Sequence, residues 1–147
     1  MRHGAIWRTS SDRWPFARRR LARFHLVRPG VARLSDKARQ VMDDATDSDI
    51  PLAISAATLV ELVYLVEKGT FMQTHLEAFH EVIDAADSGF EVVPIDNAVA
   101  RAVSKIPRSA VADPFDRIIA ATALMRAAPL VTYDRKIRQL ATVDTIW

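Results

Sequence analysis

The sequence predicts an α/β fold in three layers, with a short parallel β-sheet between helices. From Leu34 to the end of the 147-residue chain, helical patterns alternate with short strand-like runs, which is typical of α/β layer folds. The strand-like runs are rich in β-branched residues and do not alternate in polarity, as expected for parallel strands that are covered on both faces. Half of the residues are hydrophobic, which is enough for a packed core and excludes a wholly disordered chain.

Capping residues place the ends of the helices. Ser35, Asp96 and Asp113 each precede a helical pattern, and their side chains can accept hydrogen bonds from the free N–H groups of a first turn. Gly69 and Gly89 each follow such a pattern, where glycine can end a helix. Helices are therefore predicted over residues 36–46, 55–68 (starting at Ser55 or Thr58), 72–87, 96–106, 113–127 and 135–140.

Strands are predicted where short apolar runs lie between the helices. The run at residues 90–93 stops at Pro94, which cannot donate a ladder hydrogen bond. Further strands are predicted over residues 51–54, 130–132 and, at the sheet edge, 143–147. No strand is assigned to residues 1–33, so the central first strand of the sheet is left open.

Charge divides the chain at about residue 33. Residues 1–33 hold nine arginines and one acid, Asp12, which gives +8, whereas residues 34–147 hold eleven basic and seventeen acidic residues, which gives −6. These sums return the net charge of +2, and so sharp a change indicates two segments with different roles. We expect an atypical basic N-terminal segment over residues 1–33, and a folded domain over 34–147. An alternative hypothesis is that residues 1–33 stem from a shifted reading frame or a misplaced start.

The composition excludes several classes of protein. The chain has no cysteine, which excludes disulfide scaffolds, thiolate zinc sites and cysteine nucleophiles. Zero cysteine suits a reducing compartment, and we expect a cytoplasmic protein. No apolar run approaches the roughly 20 residues that cross a bilayer, so no membrane association is expected.

One carboxylate lies inside a strongly apolar helical stretch. Glu61 is the only charged residue among residues 59–66. Such an acid is expected to be at least partly buried, and a buried carboxylate needs a cation, a metal ion or several hydrogen-bond donors. The alternative is that Glu61 faces the wet edge of its helix or pairs with an arginine.

Three further acids lie at the ends of predicted elements. Asp113 and Asp116 begin a helix, where capping and the helix dipole alone could explain them. Asp134 follows the strand at residues 130–132, at the edge where open α/β sheets bind ligands, or it caps the next helix. If these acids converge with Glu61, a cation must offset their repulsion, and carboxylate oxygens favour Mg²⁺ or Mn²⁺. Such a set is suited to metal-assisted phosphodiester hydrolysis.

Several stretches match one protein family in order and spacing. The helix-start motif at residues 113–117 (DPFDR) and the strand-end motif at residues 130–134 (LVTYD) are specific in combination. The other matching stretches are residues 34–39, 54–62, 66–69, 93–95, 118–123 and 145–147. On these residues, about three quarters of the chain resembles a PIN-domain ribonuclease toxin of the VapC type.

The resemblance implies a three-layer α/β/α PIN-like fold and a Mg²⁺-dependent endoribonuclease of a toxin–antitoxin system, with Mn²⁺ as the alternative ion. It identifies Glu61, Asp116 and Asp134 as the catalytic, metal-binding acids. Asp113 becomes a neighbouring acid that assists the metal site or only caps the helix. The partners that the resemblance implies are an RNA substrate, a cognate antitoxin and a second copy of the chain.

Two hydroxyl residues are expected to support the acids. Ser55 and Thr132 are candidates for orienting carboxylates through hydrogen bonds. No residue is assigned to RNA binding, and the sequence does not identify the RNA target.

The family's first strand and its aspartate are missing from the expected place. PIN toxins of this type open with a hydrophobic strand that ends in an Asp-Thr pair, whereas residues 18–20 of this chain are all arginine. Residues 24–27 could form a substitute strand but contain no acid. We therefore expect weak or absent nuclease activity. The alternative is a catalytically inactive PIN-like module that binds RNA or an antitoxin.

Overall fold

A computed structural model describes the backbone of residues 6–8 and the whole of residues 34–147. The predictions for the rest of residues 1–33, including the substitute strand at 24–27, lie outside these ranges. The described elements are, in chain order, β1 (Ile6–Arg8), α1 (Asp36–Asp47), β2 (Leu52–Ser55), α2 (Ala56–Glu67), α3 (Gln73–Asp84), β3 (Phe90–Val93), α4 (Asn97–Val103), α5 (Pro114–Arg126), β4 (Leu130–Val131), α6 (Arg135–Arg138) and β5 (Thr145–Ile146).

The strands form one sheet in the order β3-β2-β1-β4-β5. β2 pairs parallel with β3, and β4 pairs parallel with β5. β1 lies in the centre and runs antiparallel to both neighbours, with Ile6 opposite Ile54 and Val131. The predicted α/β layered fold is confirmed, and the parallel pairing holds on both flanks. The central strand, which the sequence analysis left open, is Ile6–Arg8 and is reversed.

β2 is buried on both faces of the sheet, and its consecutive residues belong to different cores. Ala53 packs in one cluster with residues of α4, α5 and α6, whereas Ile54 packs in another with Leu62 of α2 and Phe79 of α3. Successive strand residues point to opposite faces of a sheet, so the two clusters are the two interfaces of a three-layer structure. The burial of β2 and β4 on both faces explains why these two strands do not alternate in polarity.

The predicted helix starts agree closely with the structure. The Ser35 hydroxyl accepts a hydrogen bond from the Ala38 N–H at 3.1 Å, and Asp96 Oδ1 accepts one from the Val99 N–H at 2.9 Å. α2 ends beside Gly69, which has a φ of 68°, a left-handed conformation that glycine adopts without steric strain. None of the helices in the described ranges has the length and apolarity that a membrane span requires.

Candidate functional site

Helix α2 buries two polar side chains one turn apart. Thr58 is 2% exposed and Glu61 is 4% exposed, and residues three apart on a helix are neighbours on one face. The expectation that Glu61 is buried is therefore correct, and the alternative that it faces a wet helix edge is excluded. Within the described ranges the Thr58 hydroxyl has no hydrogen-bond partner.

Helix α5 begins with the predicted acid pair. Asp113 is the N-cap, its Oδ1 accepts the Asp116 N–H at 3.0 Å, and Pro114 follows in the first turn. Proline suits this place because its missing N–H would have no helical partner. Asp116 is 6% exposed and Asp113 is 9% exposed. Asp113 therefore has the capping role, and it fixes the backbone from which the Asp116 carboxylate extends.

Arg117 ties the start of α5 to the end of α4. Its Nε donates to the Ile106 carbonyl at 3.1 Å and its Nη2 to the Val103 carbonyl at 3.3 Å. These carbonyls lie at and just beyond the end of α4, where the last carbonyl groups of a helix have no partner within it. The Arg117 guanidinium therefore connects the first turn of α5, which contains Asp116, to the chain at the end of α4.

Two contacts show how α2 and α5 pack. The hydroxyls of Ser55 and Thr122 are 3.2 Å apart, and the rings of Tyr64 and Phe115 have their centroids 5.6 Å apart. From the first contact to the second, the residue number rises from 55 to 64 on the side of α2 and falls from 122 to 115 on the side of α5. The two helices therefore run antiparallel.

This packing places Glu61 and Asp116 at the same level. Glu61 lies six residues after Ser55 (61 − 55), and Asp116 lies six residues before Thr122 (122 − 116). At a rise of about 1.5 Å per residue, both acids lie about 9 Å along their helices from the hydroxyl pair. Two buried acids thus extend from facing helices at one height.

Asp134 lies at the same edge of the sheet from which α2 starts. It follows the carboxyl end of β4, and α2 follows the carboxyl end of β2. Only β1 separates these two strands, which at a strand spacing of about 4.8 Å puts their ends about 10 Å apart. The Asp134 N–H donates to Thr132 Oγ1 at 3.1 Å, so Thr132 orients the backbone of Asp134. That its hydroxyl orients a carboxylate stays a prediction.

Asp134 also caps α6. Its Oδ1 accepts from the N–H groups of Lys136 and Ile137 at 2.8 Å and 3.0 Å. The capping interpretation of Asp134 therefore holds, and one of its two carboxylate oxygens is engaged.

The residues present fit a two-acid cation site better than a larger cage. No three His, Asp or Glu side chains in the described part of the chain are placed to hold one metal ion together. Mg²⁺, however, keeps several waters and needs only one or two carboxylates in addition to substrate phosphates. Glu61 and Asp116 can supply these carboxylates, and the buried Thr58 hydroxyl is a polar group that such a hydrated ion would satisfy.

The sequence analysis missed two hydroxyl residues of this region. Thr58 lies one turn before Glu61, and the three-residue spacing on a buried face was the signal that could have identified it. Thr122 lies within residues 119–123, which are all buried. A hydroxyl within a run of small apolar residues needs a partner, and Thr122 has two, the Ile118 carbonyl and the Ser55 hydroxyl. That Ser55 orients a carboxylate stays a prediction.

Comparison with known proteins agrees with the fold. Residues 31–143 match the PIN domain family. This chain is also similar in fold to a chain of the DNA-bound VapBC from Salmonella typhimurium, with 24% identity, a TM-score of 0.54, and coverage of 76% of this chain and 84% of that one. For VapBC2 from Rickettsia felis bound to a promoter DNA fragment, the identity is 19%, the TM-score is 0.57, and the coverage is 76% and 85%.

The family match extends over most of the chain, and the layered fold is consistent with it. The chain therefore belongs to the PIN domain family. At these identities, the likeness to the two VapBC structures concerns the fold. No curated protein matches the chain.

Proposed function

We propose that this chain is a VapC-type member of a toxin–antitoxin pair, with the site of a Mg²⁺-dependent endoribonuclease that acts weakly. The observation that carries the proposal is the pair of buried acids, Glu61 and Asp116, at one level on the facing helices α2 and α5. Membership of the PIN domain family supports the nuclease class. The two VapBC structures that share the fold support the toxin–antitoxin setting.

The chain's own residues would divide the work as follows. Glu61 and Asp116 would hold the cation, with Asp134 approaching from the end of β4. Asp113 and Thr132 fix the backbones of Asp116 and Asp134 through their hydrogen bonds. When bound, Mg²⁺ activates water and neutralises charge on the phosphate that is cleaved.

The direction of β1 is the reason for expecting weak activity. The residue that β1 places at this edge is Ile6, so within the described residues β1 supplies no acid where the family carries one after its first strand. Loss of groups around a metal typically costs 10–100-fold in affinity or activity. The second candidate function, an inactive module that binds RNA or an antitoxin, is favoured by the absence of a three-acid group within the described residues.

A protein partner is supported by the outer face of α2. Val60, Val63 and Tyr64 are 41–49% exposed and share one helix face, since they are three and four residues apart. Exposed apolar patches of this kind mark interaction sites. An antitoxin segment or a second copy of the chain is the partner that we propose for this face.

The nuclease proposal is tested with the purified full chain and a single-stranded RNA. We expect slow cleavage with Mg²⁺, none with EDTA, and loss of cleavage in Glu61→Gln. Glu67→Gln is the matched control, because Glu67 is an exposed acid on the same helix, and it should cleave like the wild type.

Two other outcomes would contradict the nuclease proposal. Cleavage that survives both EDTA and Glu61→Gln would show that the buried acids are not the site. RNA binding without cleavage, which survives EDTA and weakens steeply with salt, would identify the inactive module instead.

A further inference from the structure

Thr58 has a buried hydroxyl that the fold does not satisfy. Its side chain is 2% exposed, and its Oγ1 has no hydrogen-bond partner in the ranges that the structure describes. Buried polar groups in native proteins nearly always have a partner, and the exceptions call for an explanation such as an ion or a water. The hydroxyl lies one turn before Glu61 on the same buried face of α2.

Two other helical threonines of this chain have a hydrogen-bond acceptor for their hydroxyl, which Thr58 lacks in the described residues. Thr46 donates to the Met42 carbonyl at 2.9 Å, and Thr122 donates to the Ile118 carbonyl at 2.7 Å. Both use the carbonyl four residues earlier, which is the usual local partner of a threonine within a helix. Thr58 lies in the first turn of α2, so the carbonyl four residues before it belongs to β2 instead. Its hydroxyl is left to face something outside its own helix.

We propose that Thr58 is a further binding residue of the site, and that its hydroxyl hydrogen-bonds the hydration shell of the cation held by Glu61 and Asp116. This inference rests on the proposed cation site. Mg²⁺ and Mn²⁺ retain waters when few carboxylates bind them, and those waters need hydrogen-bond partners from the protein. A buried hydroxyl one turn from a buried carboxylate supplies one.

The first test measures stability without metal. Thr58→Val keeps the shape of the side chain and removes the hydroxyl that has no partner, so we expect it to raise the Tm by about 3–6 °C in EDTA. Thr122→Val is the matched control on the facing helix. Its hydroxyl is satisfied, so the same substitution should lower the Tm by a similar amount.

The second test measures binding of Mn²⁺ by calorimetry. We expect Thr58→Val to weaken the Kd for Mn²⁺ by about 10–100-fold, as other supporting groups of metal sites do. Thr58→Ser restores the hydroxyl and should bind within about threefold of the wild type. A purely structural threonine would not give a variant that is more stable without metal and binds the metal less well.

The outcomes separate this inference from the proposed function. If the wild type binds Mn²⁺ and Thr58→Val binds it equally well, the role of Thr58 is refuted while the cation site stands. If Thr58→Val lowers the Tm as Thr122→Val does, the hydroxyl has a partner in the metal-free protein and the inference fails. If the wild type does not bind Mn²⁺, both the cation site and the role of Thr58 are overturned.

Discussion

The hydroxyl pair of Ser55 and Thr122 is expected to couple α2 to α5. Thr122 donates its proton to the Ile118 carbonyl, so the proton between the two hydroxyls must come from Ser55. Ser55 Oγ in turn accepts the Ala57 N–H at 3.3 Å, as the N-cap of α2. Both side chains are fully buried. Removal of the Thr122 hydroxyl would therefore leave the Ser55 O–H without an acceptor.

The size of the effect follows from these partners. A buried donor left unsatisfied costs about 1–3 kcal/mol, so Thr122→Val should lower the free energy of unfolding by about 2 kcal/mol. Ser55→Ala removes the hydrogen bond to Thr122 and also the N-cap of α2, which is worth about 1 kcal/mol. It should lower the free energy of unfolding by about 2 kcal/mol in total. The double variant leaves no buried donor without an acceptor, so it should lower the free energy of unfolding by only about 2–3 kcal/mol. The coupling energy is then about 1–2 kcal/mol.

Urea unfolding of the four proteins measures this coupling. With an m-value of about 2 kcal/mol/M, each single variant should shift the midpoint by about 1 M. The double variant should lie close to either single variant. Additive effects, with a coupling below about 0.3 kcal/mol, would refute the conclusion that the two hydroxyls join the helices. They would also remove the anchor from which the common level of Glu61 and Asp116 is derived.

Two further substitutions test the helix ends. Ala127 ends α5 with a φ of 49°, a left-handed conformation that favours glycine. Ala127→Gly should therefore raise the free energy of unfolding by about 0.5–1 kcal/mol. An unchanged or lower urea midpoint would contradict this. Arg117→Ala removes the two hydrogen bonds to Ile106 and Val103 and should lower the free energy of unfolding by about 2 kcal/mol. Arg117→Lys should recover less than half of that loss, because an ammonium group cannot reproduce the fork of a guanidinium, and full recovery in the same urea titration would show that the fork geometry is not needed.

Local chemistry made the helix starts predictable. Ser35, Asp96 and Asp113 were identified as caps, and each accepts the N–H three residues ahead. Helix ends were less accurate: the helix predicted to reach residue 87 ends at Asp84, since Ala85 already has an extended backbone. The residue types at 85–87 are compatible with a helix. The helix ends before them because the chain has to turn back to β3.

Long-range packing decided what the sequence could not show. The burial of Glu61 was predictable because its neighbours in the chain are apolar. Its common level with Asp116 depends on the contacts of Ser55 with Thr122 and of Tyr64 with Phe115, which are far apart in the sequence. β1 was missed for the same reason: only its pairing with β2 and β4 makes a three-residue run a strand.

The reversed central strand explains why an acid at the carboxyl end of β1 would not join the other acids. A parallel first strand would end at the edge where α2 starts and Asp134 lies, and the residue after it would join the acids. In this chain Ile6 is the residue at that edge, opposite Ile54 and Val131, and the strand leaves the sheet at Arg8, opposite Leu52 at the beginning of β2. An acid substituted for Arg8, the last residue of β1, would therefore lie at the opposite edge of the sheet from Asp134. Strand direction, together with the apolar residue at position 6, therefore means that β1 brings no carboxylate to the edge at which Asp134 lies.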